Sequence, residues 1–333
     1  RRASSSEPKR LQVYDRYSIV LKKIADELLS DGSEDIKLSA ATRLYSLFSS
    51  VSGLDEDSNR IGDCDATRLP KGEAISPRDA AACLLDAART SKFLRGLHAA
   101  VLEAQKRFPG TTIEILYAGC GPFAPMAIPL TARFNSAEIR FTLLDIHQRS
   151  LDSARLIFHT LGKGAFVRDY IQADAALYRH EASHVIHIVV VEAMQAALEK
   201  EPQVAITMNL ASQLCPGGIF IPERITIGCY LCDPAKEFAE VVSGVRPAHS
   251  LSAGGGGSVR FNLGAVLELV ARHCGDLLTT SEMADPARPS LTPKRLKIPG
   301  ELESGICLML STVVTVFGSI TLQEYESGLT YPK

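Results

Sequence analysis

The chain has 333 residues, of which 46% are hydrophobic and 22% are charged. This length is enough for a large core and about two domains. The formal net charge of −2 gives no electrostatic reason to expect nucleic acid or an anionic membrane as a partner, and no apolar run approaches the roughly 20 residues of a membrane span. Eight scattered cysteines are typical of reduced thiols, which predicts a cytoplasmic location.

Residues 1–72 are predicted to form an N-terminal helical region. After a start at 1–10 that is predicted to be disordered, apolar residues between 11 and 52 recur at three- and four-residue spacing, which is typical of helices. The polar, turn-rich stretch at 53–73 is predicted to be a linker. This region is therefore expected to end in a connection to the next domain.

Residues 73–222 alternate between short apolar runs and helical periodicity, which predicts a doubly wound, mostly parallel, Rossmann-like α/β sheet. Four apolar residues in a row, Ile188 to Val191, suit a central parallel strand that is covered on both faces. Ser76-Pro77, a capping serine before a proline, predicts a helix that begins there. The predicted strands cover 113–116, 139–144, 167–172 and 188–191, and the predicted helices cover 76–94, a stretch ending near 108, the residues after Gly121, 150–161 and 204–214.

Residues 223–333 differ in texture and are predicted to be a β-rich, mostly antiparallel region. One helix is expected in it, at 263–273, and one flexible glycine loop, at 253–257. The expected strands cover 224–231, 258–261 and 308–322.

A glycine turn and three strand ends point to a nucleoside site. Gly119 and Gly121 stand where the first strand of the sheet is predicted to turn into a helix, and their lack of side chains lets the backbone approach a ligand closely. Asp145 ends the second strand, where a carboxylate accepts hydrogen bonds from ribose hydroxyls. Asp174-Ala175, at the end of the third strand, completes the expected pocket. The structural alternative is a plain tight turn with Asp145 as a helix cap.

The turn does not match the phosphate-binding patterns. A dinucleotide fingerprint needs a third glycine after Gly121, and a P-loop needs Gly-Lys-Ser/Thr; neither is present. The Gly119-Cys120-Gly121 turn with a later acid instead resembles the class I methyltransferases that use S-adenosylmethionine (AdoMet), a cofactor without phosphate. Two positions depart from that family: Tyr117 stands where it usually has an acid, and Phe123 where it often has a glycine.

Within that superfamily, four local patterns resemble the protein arginine methyltransferases, and they follow one another in the family's order across about 80–230. The resemblance implies AdoMet as the cofactor, S-adenosylhomocysteine (AdoHcy) as the product, and a barrel-like C-terminal domain for substrate binding or dimerisation. The patterns are D-x-x-R-T at Asp86–Thr90, the glycine turn, E-x-M-x-x-x-L-x-x-E at Glu192–Glu201, and L-x-P-x-G-x-x-x-P-E-R at Leu214–Arg224.

The resemblance also implies roles for single residues. Arg89 is expected to bind the carboxylate of the cofactor. Cys120 belongs to the glycine turn and is expected to contact the cofactor there. Glu192 and Glu201 are expected to hold the two edges of a guanidinium, and one of them to take the departing proton. Met194 shares their pattern and is expected beside the substrate. Glu192 also follows the central strand, where ligands of open α/β sheets bind, although a structural ion pair is the alternative there.

The substrate stays open at this point. The chain has no Trp, so it lacks the Thr-His-Trp loop of the family. The expected substrate is a guanidinium or amine nitrogen of a small molecule or of a protein arginine. The alternatives are methylation of another atom in a small natural-product-type molecule, and a catalytically silent methyltransferase-like scaffold. Because members of the family commonly dimerise, a possible homodimer is also implied.

Two pairs of metal-ligand residue types are not interpreted as metal sites. Cys229 and Cys232 have no second pair at zinc-finger spacing, and their stretch has the composition of a strand. His184 and His187 flank the fourth strand and are interpreted as packing or edge residues. The sequence therefore predicts no metal.

Overall fold

The structure, a computed structural model, describes residues 7–60, 62–181, 184–244, 260–272, 294–300 and 302–333. Two helices open the chain, α1 (Glu7–Leu29) and α2 (Glu34–Ser52), as the periodicity predicts. They pack against each other and against the helices of the next domain. Their buried faces carry Ile24 and Leu28 in α1 and Leu44 and Phe48 in α2. The N-terminal region is therefore joined to the rest of the molecule by a hydrophobic core.

The predicted linker contains an element that its sequence did not indicate. It forms a hairpin of β1 (Thr67–Leu69) and β2 (Gly72–Ala74), paired antiparallel. The single helix predicted from residue 76 to 94 is also wrong, because the chain breaks at Asp86. It forms α3 (Pro77–Ala82), a 3-10 turn at Cys83–Leu85, and α4 (Ala87–Arg107). Asp86 caps α4, accepting a hydrogen bond from the main-chain N–H of Arg89 at 3.1 Å, and such a cap fixes where a helix begins.

Five parallel strands form the central sheet, in the order β5-β4-β3-β6-β7. The chain builds outward from β3 to one edge and then returns to build from β6 to the other. The strand order therefore reverses between β3 and β6, which is where ligands bind in such sheets. The elements are β3 (Ile113–Ala118), β4 (Ile139–Asp145), α5 (Gln148–Thr160), β5 (Val167–Gln172), β6 (Ile188–Val191), α6 (Gln203–Ala211) and β7 (Ile219–Ile221).

Side chains alternate between the two faces of this sheet, as strand geometry requires. Ile115 and Tyr117 of β3 join the core that contains α1, α2, α4 and α5. Leu116 and Ala118 join a smaller core with Ile206 of α6 on the opposite face. All four residues of β6 are buried, so this strand is central, as its unbroken apolar run predicts.

The helix predicted after the glycine turn is absent. Residues 121–128 form turns, and only a short 3-10 helix at Pro129–Ala132 follows. Pro122, Pro125 and Pro129 explain the difference, because each lacks the N–H that a helix interior needs. The glycine turn is therefore not followed by a helix N-terminus.

The last part of the chain forms a four-stranded antiparallel sheet in the order β11-β10-β8-β9. The helix predicted at 263–273 is wrong, because 261–269 forms the edge strand β9. The single strand predicted at 308–322 is two strands, and α7 was not predicted. The glycine loop at 253–257 lies outside the described residues. The elements are β8 (Arg224–Cys232), α7 (Pro234–Val242), β9 (Phe261–Leu269), β10 (Cys307–Phe317) and β11 (Ile320–Leu322).

Helix α4 packs against both sheets, on β6 and β7 of the first and on β10 and β11 of the second. Lys92 of α4 donates a hydrogen bond to the carbonyl oxygen of Thr321 at 2.9 Å. In the part of the chain that the structure describes, no helix combines the length and apolarity that crossing a membrane requires. Helix α4 therefore packs between the five-stranded and the four-stranded sheet.

Candidate active site

One cleft lies beyond the carboxyl ends of the parallel strands, at the point where the strand order reverses. It encloses about 950 Å³ of space, counting the mouth that opens to solvent. All the predicted site residues except Met194 line it: Arg89, Gly119, Cys120, Gly121, Asp145, Asp174, Ala175, Glu192 and Glu201. Residues that are up to 112 positions apart in sequence thus share one surface.

The glycine turn forms the floor of the cleft beside β4. Gly119 and Gly121 have φ values of +69° and +62°, a conformation that glycine adopts without steric cost. The N–H of Gly121 donates to Asp145 Oδ2 at 2.8 Å, and the N–H of His147 donates to Asp145 Oδ1 at 2.9 Å. Asp145 is buried. It therefore ties the turn to the end of β4 while it lines the cleft.

Asp174 presents an acceptor that no protein group uses. Its Oδ1 accepts from the N–H of Ala176 at 2.9 Å. Its Oδ2 is buried and has no hydrogen-bond partner within the protein. A buried carboxylate oxygen without a partner costs free energy unless a ligand or water donates to it. Asp174 is therefore placed to accept a hydrogen bond from a bound molecule.

Arg89 and Glu192 form an ion pair inside the cleft. The Nη2 of Arg89 donates to Oε2 of Glu192, and the two side chains are only 12% and 8% exposed. The other oxygen of Glu192, Oε1, is buried and has no partner within the protein. Arg89 thus pairs with one carboxylate oxygen of Glu192, and the other oxygen stays available to a hydrogen-bond donor. The sequence predicts that Arg89 binds the cofactor's carboxylate, whereas its partner in the structure is Glu192.

Burial and charge shift the proton affinity of both glutamates. Burial raises the pKa of Glu192, and the guanidinium of Arg89 opposes that rise. Burial and then the negative charge of Glu192 raise the pKa of Glu201 to about 7, with Arg89 again opposing. Burial alone would lower the pKa of Arg89, but the carboxylate of Glu192 reverses the effect and raises it. The cleft therefore favours a further cation beside Glu201.

The loop between the two glutamates has little regular structure. It contains only a 3-10 turn at Ala196–Leu198. The N–H of Ala197 donates to Thr312 Oγ1 of β10 at 2.9 Å, so the second sheet holds the loop. Met194 is 1% exposed and packs in the hydrophobic core. The structure thus places Met194 in the core and outside the lining of the cleft.

The hairpin supplies part of the lining that the sequence did not reveal. Leu69, Ala74 and Ile75 line the cleft, although the sequence predicts only a linker there. The turn signal at Pro70-Lys71-Gly72 was available, but three-residue strands without alternating apolar residues are too short to recognise. Cys83, which burial gives a raised pKa, also lines the cleft and was not predicted.

The two departures from the methyltransferase pattern have different surroundings. Phe123 is buried and makes edge-to-face contacts with Tyr45 and Phe48 of α2, at ring-centroid distances of 5.6 and 5.7 Å. It does not line the cleft, and packing with the N-terminal helices accounts for it. Tyr117 does line the cleft, at the end of β3.

His187, Cys229 and Cys232 are packed in the interior of the fold. His187 is buried, and its Nδ1 accepts from the N–H of Glu114 at 3.0 Å. Cys229 and Cys232 are buried in β8. Among the described residues, no group of three or more His, Cys, Asp or Glu side chains is arranged to hold a metal ion.

Comparisons with known proteins give no match to a protein family or a curated protein, and a weak likeness to solved structures. Among solved structures, the chain is similar to one described as "Trypanosoma brucei PRMT1 enzyme-prozyme heterotetrameric complex with AdoHcy", with 11% identity and a TM-score of 0.40, over 75% of this chain and 95% of that chain. A likeness at this level is too weak to carry a functional conclusion.

Proposed function

We propose that the chain is an AdoMet-dependent N-methyltransferase that acts on a guanidinium or amine nitrogen. The observation that carries this proposal is the pair Glu192 and Glu201 in one cleft at the reversal of the strand order. Glu192 offers a buried oxygen without a protein partner, and Glu201 has a raised pKa. Both features suit a cationic ligand with N–H donors.

The rest of the lining fits AdoMet. The unpartnered Asp174 Oδ2 and the carboxylate of Asp145 suit the hydroxyl and amine donors of the adenosine part. Arg89 suits its carboxylate, and Gly119 to Gly121 leave room for close approach. When bound, AdoMet supplies an electrophilic methyl group. The cofactor residues predicted from the sequence are therefore proposed as its site.

The two glutamates would orient the nucleophile and remove its proton. A guanidinium has a pKa above about 12 and is a poor nucleophile until its charge is drawn away from the reacting nitrogen. Glu192 would accept from one edge of the cation and Glu201 from another. Glu201, with a pKa near 7, suits the role of proton acceptor, because a general base works best when its pKa is close to the operating pH.

Two other functions are the alternatives. Methylation of another atom of a small molecule would use the same cofactor site. A catalytically silent binding protein is favoured by Tyr117, which lines the cleft where the methyltransferase pattern has an acid. Peptide and small-molecule substrates are both compatible with the pair of glutamates.

The test is turnover of AdoMet to AdoHcy with L-arginine, agmatine and an arginine-containing peptide, with mass spectrometry of the product. Glu192→Gln keeps the shape of the side chain and removes its charge, so we expect a loss of at least about 100-fold in kcat. Glu199→Gln is the matched control, since Glu199 is an exposed neighbour paired with Lys333. Activity of Glu192→Gln within about tenfold of the parent would contradict the assignment.

A further inference from the structure

The β1–β2 hairpin touches the main chain on both sides of Glu201. The N–H of Glu73 donates to the carbonyl oxygen of Lys200 at 3.0 Å. A Cβ built on Gly72 would lie 2.6 Å from that oxygen, 3.0 Å from the nitrogen of Pro202 and 3.2 Å from the carbonyl carbon of Glu201. No side chain fits at Gly72 unless the backbone around Glu201 moves.

The backbone conformation of Gly72 also requires a glycine. Its φ of +152° lies in a region that residues with a side chain rarely adopt. Glycine is thus needed here both for the backbone angle and for the close approach. The hairpin is far in sequence from residues 200–202, yet a hydrogen bond and a close steric contact join the two segments.

The two glutamates are held in different ways. Glu192 is fixed through its side chain, by the ion pair with Arg89. The main chain at Glu201 is held from outside, because the hairpin covers it and bonds to the preceding carbonyl. The hairpin also lines the cleft through Leu69 and Ala74. We therefore expect that withdrawal of the hairpin would expose Glu201 to water.

We propose that Gly72 and Glu73 are positioning residues for Glu201, and that the hairpin at 67–74 is the element that keeps this carboxyl group inside the cleft. The role of Glu201 in methyl transfer rests on the proposed function. The placement of Glu201 by the hairpin does not, and it has its own readout. The raised pKa of Glu201 depends first on burial and then on Glu192, so both causes weaken if the hairpin is displaced.

The experiment compares Gly72→Ala with Gly62→Ala. Gly62 lies in the same segment and also has a positive φ, +85°, but nothing lies within 4 Å of a Cβ built on it. Both substitutions impose backbone strain, and only Gly72→Ala clashes with the main chain at residues 200–202. Thermal unfolding is measured from about pH 4 to pH 8 for each variant, with and without Glu201→Gln, to isolate the titration step of Glu201.

In Gly72→Ala, the pH midpoint of the Glu201 step is expected to fall by about one pH unit or more toward the ordinary glutamate range. In Gly62→Ala the midpoint should match the parent. If Gly72→Ala does not fold, Glu73→Pro is used, since it removes the N–H that binds the carbonyl oxygen of Lys200. A Glu201 midpoint at the parent's value in the folded variant overturns the proposal.

Turnover separates this proposal from the proposed function. Gly72→Ala is expected to lower kcat at least about tenfold with agmatine or the best of the probes above. If the parent shows no turnover while the Glu201 midpoint still shifts in Gly72→Ala, the proposed function fails and the positioning role stands. If Glu201→Gln abolishes turnover and Gly72→Ala leaves midpoint and kcat intact, the positioning role fails alone.

Discussion

Glu201 holds its proton at a pH where an ordinary glutamate has lost it. Its pKa is about 7 in the folded protein, against 4.5 for the unperturbed group. Between these two values the folded state binds more protons than the unfolded state, so stability falls as the pH rises from about 4.5 to 7. The full difference corresponds to about 3 kcal/mol at most, because partial solvent exposure screens part of it.

Glu201→Gln removes this titration. We expect the variant to lose the decline in unfolding free energy between about pH 4.5 and pH 7, and to be more stable than the parent at pH 7. Glu199→Gln, at an exposed position two residues away, should keep the parental slope. Denaturant unfolding across this range checks the prediction. A parental slope in Glu201→Gln would show that Glu201 is charged throughout.

For the single residues of the cleft, the sequence predicts which of them lie together but not which of them pair. Arg89, Glu192 and Glu201 line one cleft, as the patterns indicate. The partner of Arg89 was not predictable, because the cofactor carboxylate and Glu192 are both anions that a guanidinium binds. The pattern predicts the position of Met194 along the chain but not the direction of its side chain, which packs in the core.

Helix α4 is the element that connects the two sheets. Gly96 lies where α4 crosses β10, and a Cβ built on it would be 2.3 Å from Cγ1 of Val316. Val316 is fully buried. The glycine, unfavourable within a helix by about 1 kcal/mol relative to alanine, is therefore explained by the close approach of the strand.

Gly96→Ala is expected to lower the free energy of unfolding by about 1–2 kcal/mol, because overpacking outweighs the gain in helix propensity. Val316→Ala in the same chain opens space for the new methyl group. The double variant should then be more stable than the sum of the two single changes predicts, by about 1 kcal/mol. Chemical denaturation of the four proteins measures this coupling. Additive effects would mean that α4 and β10 do not meet at this point.

Elements with strong periodicity were predictable, and short or edge elements were not. Strand β9 imitates a helix because Leu263, Val266 and Leu267 recur at helical spacing. It lies at the sheet edge, and its register shifts twice against β8, so its burial does not alternate. Helix α7 had a usable signal in Asp233-Pro234, since Asp233 accepts from two N–H groups of the first turn, at 3.0 and 3.2 Å.

Across the whole molecule, the parallel sheet and its cleft depend on contacts with the C-terminal part of the chain. Asp86 caps α4 with one carboxylate oxygen, and the other accepts from Ser327 Oγ at 2.7 Å and from the N–H of Gly328 at 3.0 Å. Residues near the end of the described chain thus hold the helix that carries Arg89. The alternation of strands and helices predicts the sheet, but only the folded chain shows this support.

The cleft is proposed to bind AdoMet and its product. Isothermal titration with AdoHcy tests it directly, and we expect a Kd on the order of micromolar. Asp174→Asn and Arg89→Lys should each weaken binding at least about tenfold, because one changes the free acceptor and the other removes the forked donor while keeping the charge beside Glu192. Arg95→Lys, on the same helix but paired with Asp31, should bind as the parent does. Absence of AdoHcy binding by the folded parent protein would contradict a cofactor site in this cleft.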